Sequence, residues 1–431
     1  MIKEKLVIHG GKPLKGRVCV TGAKNAAVGI LPAAILCEDV CTIDNLPNIA
    51  DVKILKDILV SIGAKVDFDA QNGVMTIDAR AVNTHRALDR KVTKLRASYY
   101  FLGALLGRFG RAEVRLPGGC VIGERPIDQH LKGIELLGAK AEVEFAKINA
   151  VAEHGLKGRD VYLDIASVGA TINIMLTAVK ATGTTTIVNA AKEPHVVDVA
   201  NFLTCMGAKI RGAGTDTIVI RGVQKLHGCS YTIIPDQIEA GTLMIAAAAT
   251  RGDVTVENII PAHMDALTAK LLEMGADVEE GADYIRVRCE KRPRAVHIKT
   301  LPYPGFPTDL QQPATALLST ASGSSVIVET IFESRFKHVG EIRRMGAKIS
   351  IDDRVAVVEG VDRLTGAPVR ATDLRAGAAL IVAGLMAEGK TEISNIRFVD
   401  RGYDHIEEKM RSLGADIQRV AVTEEDEEED Y

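Results

Sequence analysis

Three glycines surround one cysteine in Pro117-Gly118-Gly119-Cys120-Val121-Ile122-Gly123-Glu124-Arg125. A loop of that composition can carry a thiol up to a substrate and withdraw it. A lone cysteine is more often a small buried hydrophobe, and Cys19, Cys37, Cys41, Cys205, Cys229 and Cys289 are expected to be that. More chemically capable residues stand where long apolar runs begin: Lys24-Asn25, Arg96, Ser167-Val168-Gly169-Ala170-Thr171, Asp236 with Glu239, Thr308-Asp309, and Asp373 with Arg375. A helix N-terminus offers unpaired N–H groups and partial positive charge, so it attracts anions. Asp236, Thr308 and Asp373 are also residue types that cap helices. Lysine and arginine are not, because cations favour the opposite end. Cations at three such ends point to a polyanionic ligand.

The elements that position these residues repeat. A bulky apolar residue followed by Gly-Ala and then Lys or Asp occurs six times, with glycines at 63, 138, 207, 275, 346 and 414. A second phrase, an apolar run ending in Gly and then β-branched alternation, reads Thr182 to Asn189, Arg251 to Asn258 and Glu388 to Asn395, with looser copies at Glu38 to Asn45, Arg108 to Leu116 and Ser322 to Glu329. Glycine after an apolar run marks a helix end, and period-two Thr, Val and Ile mark a strand. Each unit therefore reads strand, apolar helix, strand, amphipathic helix, strand, with room for one more short strand. The apolar helices, such as Ala240 to Ala249 and Ala376 to Ala387, lack a polar face and should be buried. Two similar α/β domains of three units each follow; one large sheet covered by helices is the alternative.

Composition narrows the function classes. The chain has 431 residues, no Trp and a formal charge of −3, of which seven negative charges fall in Glu424 to Asp430. That acidic run is expected to be a solvated, disordered tail. The remainder, near +4, suits small anions and is too weakly basic to argue for nucleic acid. Seven cysteines without a C-x-x-C pair indicate neither a disulfide framework nor a zinc site. No apolar run approaches the roughly 20 residues of a membrane span, and Met1-Ile2-Lys3-Glu4-Lys5 begins no signal peptide, so a cytoplasmic protein is expected. GxxxxGK[ST], HExxH and GxSxG are absent.

Taken together, Gly22-Ala23-Lys24-Asn25-Ala26-Ala27, Leu95-Arg96-Ala97-Ser98, the Cys120 loop, Ser167 to Thr171, Phe306-Pro307-Thr308-Asp309, Phe332 to Phe336, Asp373-Leu374-Arg375-Ala376 and Asp400-Arg401-Gly402-Tyr403 resemble the UDP-N-acetylglucosamine 1-carboxyvinyltransferase family of enolpyruvyl transferases. The resemblance spans about residues 1 to 421, in family order. It implies two inside-out α/β barrel domains, each of three βαβαββ repeats around buried central helices: 22–232, and 1–21 with 233–421, followed by the tail 422–431. It implies a site in a cleft that closes. It also implies transfer of the enolpyruvyl group of phosphoenolpyruvate to the 3′-hydroxyl of UDP-N-acetylglucosamine, with release of phosphate and without metal or organic cofactor. This reaction opens peptidoglycan synthesis, and a monomer is favoured.

By the same resemblance Cys120 is the proton donor to the methylene carbon and can form a covalent adduct with phosphoenolpyruvate, while Asp309 accepts the hydroxyl proton. Lys24, Asn25, Arg125, Arg375 and Arg401 would bind phosphoenolpyruvate. Arg96, Arg125, Pro126, Ile127, Asp128, Gln129, Ser167, Val168, Gly169, Asp309 and Ile331 would bind the UDP-sugar. The chemistry agrees with the residue types. A compact trianion needs several fixed cations, and the planar guanidinium fork suits carboxylate and phosphate oxygens. Neighbouring arginines would lower the Cys120 pKa from about 8.5 toward thiolate, and the bound trianion would oppose them. Asp309, a weak base with an ordinary pKa near 3.9, would act as positive charge develops on the enol carbon.

One departure from the family pattern is Ile165, where some members carry a lysine facing the nucleotide. Three rivals remain. A shikimate-pathway enolpyruvyl transferase shares the fold but uses no cysteine acid, and its usual Gly-Asn-Ala-Gly-Thr stretch is missing. A non-catalytic UDP-sugar sensor would show losses at Cys120, Asp309 or the arginines, and none is seen. A nucleic-acid binder is disfavoured by the acidic tail and scarce aromatics.

Overall fold

The Gly-Ala phrase is a helix terminator in every copy. The outer helices Ala50–Ser61, Asp128–Leu136, Pro194–Cys205, Asp265–Met274, His338–Arg344 and Ile406–Ser412 each run into one. Its glycine adopts φ between 92° and 102°, the left-handed region that a side chain would strain. The next alanine donates its N–H to the carbonyl five residues back, at 2.9 to 3.3 Å in all six copies. That is the Schellman pattern, which satisfies carbonyls the helix leaves open. The six alanines are buried, so the phrase also fixes how each helix returns to its sheet.

The structure, a computed structural model, describes residues 4–116 and 127–422. Cys120, Arg125, Pro126 and the acidic run 424–430 lie outside them. The chain divides into two compact units: among described residues, 22–116 with 127–234, and 4–21 with 235–422.

The first unit contains three central helices, Lys24–Ala33, Tyr100–Phe109 and Val168–Ala178, and the second contains Gln237–Ala249, Thr308–Leu318 and Leu374–Met386. They are apolar nearly all round and buried nearly throughout, as the missing polar face requires. Close helix approach is built into the sequence. A Cβ on Gly103 would lie 2.5 Å from the Asn173 carbonyl oxygen, and one on Gly107 would lie 2.6 Å from that of Leu176.

The described strands form six four-stranded sheets, three per unit, and no single large sheet occurs among them. Each sheet has the same plan: its first strand is parallel to the second, and the third and fourth follow antiparallel. In the first unit the orders are Ser230–Thr232, Val40–Asp44, Val74–Asp78, Lys65–Asp69; Arg86–Ala87, Arg111–Arg115, Lys147–Val151, Lys140–Glu144; and Asp160–Tyr162, Thr184–Val188, Thr217–Arg221, Lys209–Arg211. In the second they are Lys15–Cys19, Asp253–Glu257, Tyr284–Arg288, Asp277–Glu280; Ile298–Lys299, Ser324–Val328, Val355–Glu359, Lys348–Asp352; and Pro368–Arg370, Lys390–Ser394, Glu4–His9, Asp416–Ala421. The two N-terminal strands thus enter two different sheets of the second unit.

The residue directly after the second strand of a sheet is asparagine four times: Asn45, Asn189, Asn258 and Asn395, all with φ between 56° and 61°. Asparagine tolerates this left-handed turn better than most residues. In three of them the amide donates to the carbonyl just past the first strand: Asn45 to Ile233 at 2.9 Å, Asn189 to Leu163 at 2.8 Å and Asn258 to Val20 at 2.7 Å. Leu116 and Glu329 occupy this position in the other two sheets.

Cysteine burial departs from the expectation in part. Cys37, Cys41 and Cys289 are buried and Cys229 is half-buried, but Cys19 and Cys205 are exposed. Cys19 ends a strand on its solvent-facing register, and Cys205 is the last residue of an outer helix.

Candidate active site

Asp309 lies in the first turn of the helix Thr308–Leu318, where its charge complements the helix dipole. Arg335 Nη2 donates to its Oδ1 at 2.5 Å, and Arg375 donates to its Oδ2 from Nε at 3.1 Å and Nη2 at 2.9 Å. Both arginine side chains are buried, at 3% exposure for Arg335 and 4% for Arg375, while the Asp309 side chain keeps 27%. Burial works against the charge of Arg375, but Asp309, Tyr403 and Asp236 outweigh it and hold its pKa above the ordinary arginine value. The guanidinium stacks 5.3 Å from the Tyr403 ring centre, and the Tyr403 and Thr242 hydroxyls are 2.8 Å apart. Asp373 caps the helix Leu374–Met386 by accepting from the Arg375 and Ala376 amides at 2.9 and 3.0 Å. Asp236 caps Gln237–Ala249 in the same way. Asp236 and Asp373 are therefore caps, and both also stand near the buried cations.

The loop carrying Ile331 and Arg335 is fixed from behind by Glu329, whose Oε1 accepts from the Ile331 amide at 2.8 Å. Arg335 also sits 5.4 Å from the Phe332 ring centre. His338, fully buried, has its pKa pushed down to about 4 by burial, so it is neutral. Arg401 ends the 3-10 turn Ile396–Arg401 and is half-buried. Asp309, Ile331, Arg375 and Arg401 all belong to the second unit, and the ion pairs join the first and third of them directly.

In the first unit, Lys24 opens its helix and Asn25 follows it. Lys24 Nζ lies 3.0 Å from Asp51 Oδ2; Asp51 is fully buried in the first turn of Ala50–Ser61. Arg96 begins the 3-10 turn Arg96–Tyr99 that leads into the next central helix. Ser167 caps the third central helix, its Oγ accepting from the Ala170 amide at 3.3 Å, with Val168 and Gly169 in the first turn. A Cβ on Gly169 would lie 2.8 Å from the His130 ring, so any side chain there would have to displace that ring. His130 is buried, with its pKa lowered to about 4 by burial and by Arg96. Its Nδ1 is 2.8 Å from Asn173 Nδ2, which makes Nδ1 the acceptor and leaves the proton on Nε2, the atom facing Gly169.

Ile127 precedes the helix that Asp128 and Gln129 open. The Gln129 amide is committed to Asp164: Nε2 donates to its Oδ2 at 2.9 Å and Oε1 accepts its N–H at 3.0 Å. Lys132 pairs with the same carboxylate at 2.8 Å, and Ile165 beside it is 63% exposed. The residues that sequence reasoning left unassigned are Arg335, Asp51, Glu329 and His130. Arg335 lay inside a recognised stretch, Phe332 to Phe336, and carried the available signal. Among the described residues, no group of three or more His, Cys, Asp or Glu is arranged to hold a metal, and no helix is long and apolar enough to cross a membrane.

A helix-start carboxylate is thus held by two buried guanidiniums, and two capped helix N-termini belong to the same unit. The chain belongs to the EPSP synthase (3-phosphoshikimate 1-carboxyvinyltransferase) family, which matches residues 8–410. Among its relatives, UDP-N-acetylglucosamine 1-carboxyvinyltransferase 2 of Clostridium acetobutylicum is 56% identical over 97% of this chain and 100% of its own length. UDP-N-acetylglucosamine 1-carboxyvinyltransferase 3 of Caldanaerobacter subterraneus subsp. tengcongensis is 56% identical over 97% of this chain and 99% of its own. Of solved structures, the enolpyruvyl transferase NikO from Streptomyces tendae superposes with a TM-score of 0.88 at 28% identity, covering 98% of this chain and all of that one. An EPSP synthase from Acinetobacter baumannii, at 18% identity and a TM-score of 0.74 over 97% of this chain and all of that one, shares the fold.

Proposed function

We propose that this chain transfers the enolpyruvyl group of phosphoenolpyruvate to the 3′-hydroxyl of UDP-N-acetylglucosamine by addition and elimination, releasing phosphate, as the opening step of peptidoglycan synthesis. The observation that carries the reading is the 56% identity, end to end, with proteins named for that reaction. The second unit's geometry fits it. An anionic donor that took up Arg375 would release Oδ2 of Asp309, while Arg335 kept Oδ1 in place. Donor binding would then expose a carboxylate oxygen for the sugar hydroxyl at the moment a base is needed. Neither guanidinium has to move far to change partners, because burial fixes both.

The remaining assignments are those of the resemblance. Lys24, Asn25, Arg125, Arg375 and Arg401 hold the donor, and Cys120 delivers the proton to its methylene carbon. Arg96, Arg125, Pro126, Ile127, Asp128, Gln129, Ser167, Val168, Gly169, Asp309 and Ile331 hold the UDP-sugar. In the first unit, the capped helix start at Ser167–Gly169 and the Nε2–H of His130 supply donors that suit a diphosphate. With Ile165 in place of a lysine, nucleotide affinity rests more on Arg96, Arg125 and backbone amides. The domains are inside-out α/β barrels of three βαβαββ repeats, the boundaries fall near 21 and 232, and the enzyme is a cytoplasmic monomer with no cofactor, acting on cell-wall synthesis and so on cell shape and division.

The test is phosphate release from phosphoenolpyruvate with UDP-N-acetylglucosamine and, separately, with shikimate 3-phosphate. Release with the first acceptor is expected; release with shikimate 3-phosphate alone would overturn the reading. Cys120→Ala should abolish transfer, while Cys120→Asp should retain some, since a carboxylic acid can also protonate carbon. Wild-type turnover by Cys120→Ala would remove the acid role.

A further inference from the structure

The fifth sheet breaks the repeat's own rule. At the position where four sheets close with an asparagine in the left-handed conformation, it carries Glu329, a carboxylate only 1% exposed. Its position-mate Leu116 immediately precedes the Cys120 loop. An asparagine needs one acceptor there. Glu329 instead collects four donors: Thr300 Oγ1 at 2.9 Å, the Ile331 amide at 2.8 Å and the Phe332 amide at 3.2 Å on Oε1, and Thr308 Oγ1 at 2.9 Å on Oε2. Buried carboxylates persist only where hydrogen bonds replace water, and here they do.

Those four donors come from three elements. Thr300 directly follows the first strand of the sheet, and its own Oγ1 accepts from the Thr330 amide at 2.9 Å. Ile331 and Phe332 open the loop that delivers Arg335. Thr308 is the first residue of the helix whose second residue is Asp309, and no side chain caps that helix start. One oxygen of Glu329 therefore sets the loop behind Arg335, and the other sets the helix start behind Asp309. Both partners of the 2.5 Å Arg335–Asp309 contact are located by the same carboxylate.

We infer that Glu329 is a positioning residue that holds Asp309 and Arg335 in register and ties the Ile331 loop to the proton-accepting carboxylate. The inference rests on the function proposed above. It requires a clamp, not a charge. Glutamine preserves the clamp, since its oxygen accepts from Thr300, Ile331 and Phe332 while its NH2 donates to Thr308 Oγ1. Alanine removes all four contacts, and Thr308→Val removes only the link to the Asp309 helix.

Steady-state transfer with phosphoenolpyruvate and UDP-N-acetylglucosamine tests this on the full chain. Glu329→Ala should lower kcat by about 100-fold, the effect of a misplacement near 1 Å, with KM for phosphoenolpyruvate little changed. Thr308→Val should lower kcat by about tenfold, the worth of one hydrogen bond. Glu329→Gln should turn over near the wild-type rate. Wild-type kcat in Thr308→Val, or a loss in Glu329→Gln as deep as in Glu329→Ala, would overturn the inference. Should Glu329→Ala not fold, the other two variants decide alone. Wild-type enzyme that released no phosphate from these substrates would instead overturn the function on which the inference rests.

Discussion

Asp198 should make the first unit less stable as pH rises from 4 to 6. It lies on the helix Pro194–Cys205 at 1% exposure, accepting from the Tyr231 hydroxyl at 2.5 Å and from the Ile234 amide at 3.2 Å. Burial raises its pKa from 3.8 to about 6, and those two hydrogen bonds only partly offset the rise. Between those values the folded chain holds a proton that the unfolded chain has lost. The stabilisation is thus complete below pH 4, fades as pH rises through 6 and is absent above. Two pKa units at 1.36 kcal/mol each give about 3 kcal/mol across the window. Asp198→Asn abolishes the titration and still offers Tyr231 an acceptor. Hydrogen exchange in graded urea, read on peptides spanning 194–205, gives the local opening free energy at pH 4.5, 5.5, 6.5 and 7.5. The variant should gain about 2 kcal/mol on the wild type from the lowest pH to pH 6.5, the part of the window above pH 4.5, and then hold level. Taking the difference cancels the buried histidines, which titrate in both proteins. A difference that stayed flat over the whole range would refute the claim that burial governs this carboxyl. The reporter is well placed, because Ile234 is the last residue before the chain enters the second unit.

Lys24→Met should remove transfer activity and also cost about 3 to 5 kcal/mol in urea unfolding, because fully buried Asp51 loses a cation 3.0 Å away; adding Asp51→Asn should recover most of the stability and none of the activity. The two buried histidines act in acid. His130 and His338 have folded pKa values of about 4 against 6.5 unfolded, so the unfolded chain binds more protons in that window and stability is lost as pH falls from 6.5 to 4. Each contributes about 3 kcal/mol of that loss, and His338→Asn should flatten the acid limb of the unfolding free energy by about that amount. Gly103→Ala should destabilise by about 1 to 3 kcal/mol, since the new methyl would meet two Asn173 oxygens at 2.5 and 2.6 Å; an unchanged thermal midpoint would show that the helices can separate there.

Local chemistry wrote much of this molecule into its sequence. The six Gly-Ala phrases were legible because a helix terminator needs only its own backbone: a left-handed glycine and a returning N–H. The central helices were legible because a segment apolar on every side has nowhere to lie but inside. Their polar first turns were legible too, since Asp236 with Glu239 and Thr308-Asp309 stand where Gln237–Ala249 and Thr308–Leu318 begin. The cationic helix starts at Lys24, Arg96 and Arg375 were legible as exceptions to dipole chemistry.

Tertiary structure decided what depends on partners far apart in sequence. The third strand of each sheet slots between the second and the fourth, and in one sheet Glu4–His9 fills that place beside Asp416–Ala421, pairings that no local pattern encodes. Arg335 reaches Asp309 across 26 residues and Arg375 reaches it across 66, so the ion-pair triad exists only after the sheet and helices pack. Glu329 looked in the sequence like a loose copy of an asparagine; its four donors come from three separate elements. The sequence by itself determined where each element begins, ends and hides its apolar face, since those are short-range matters of backbone strain and solvation. Which carboxylate lies between which cations was decided by packing alone, because charge–charge geometry is set by the neighbours that burial brings within hydrogen-bonding distance.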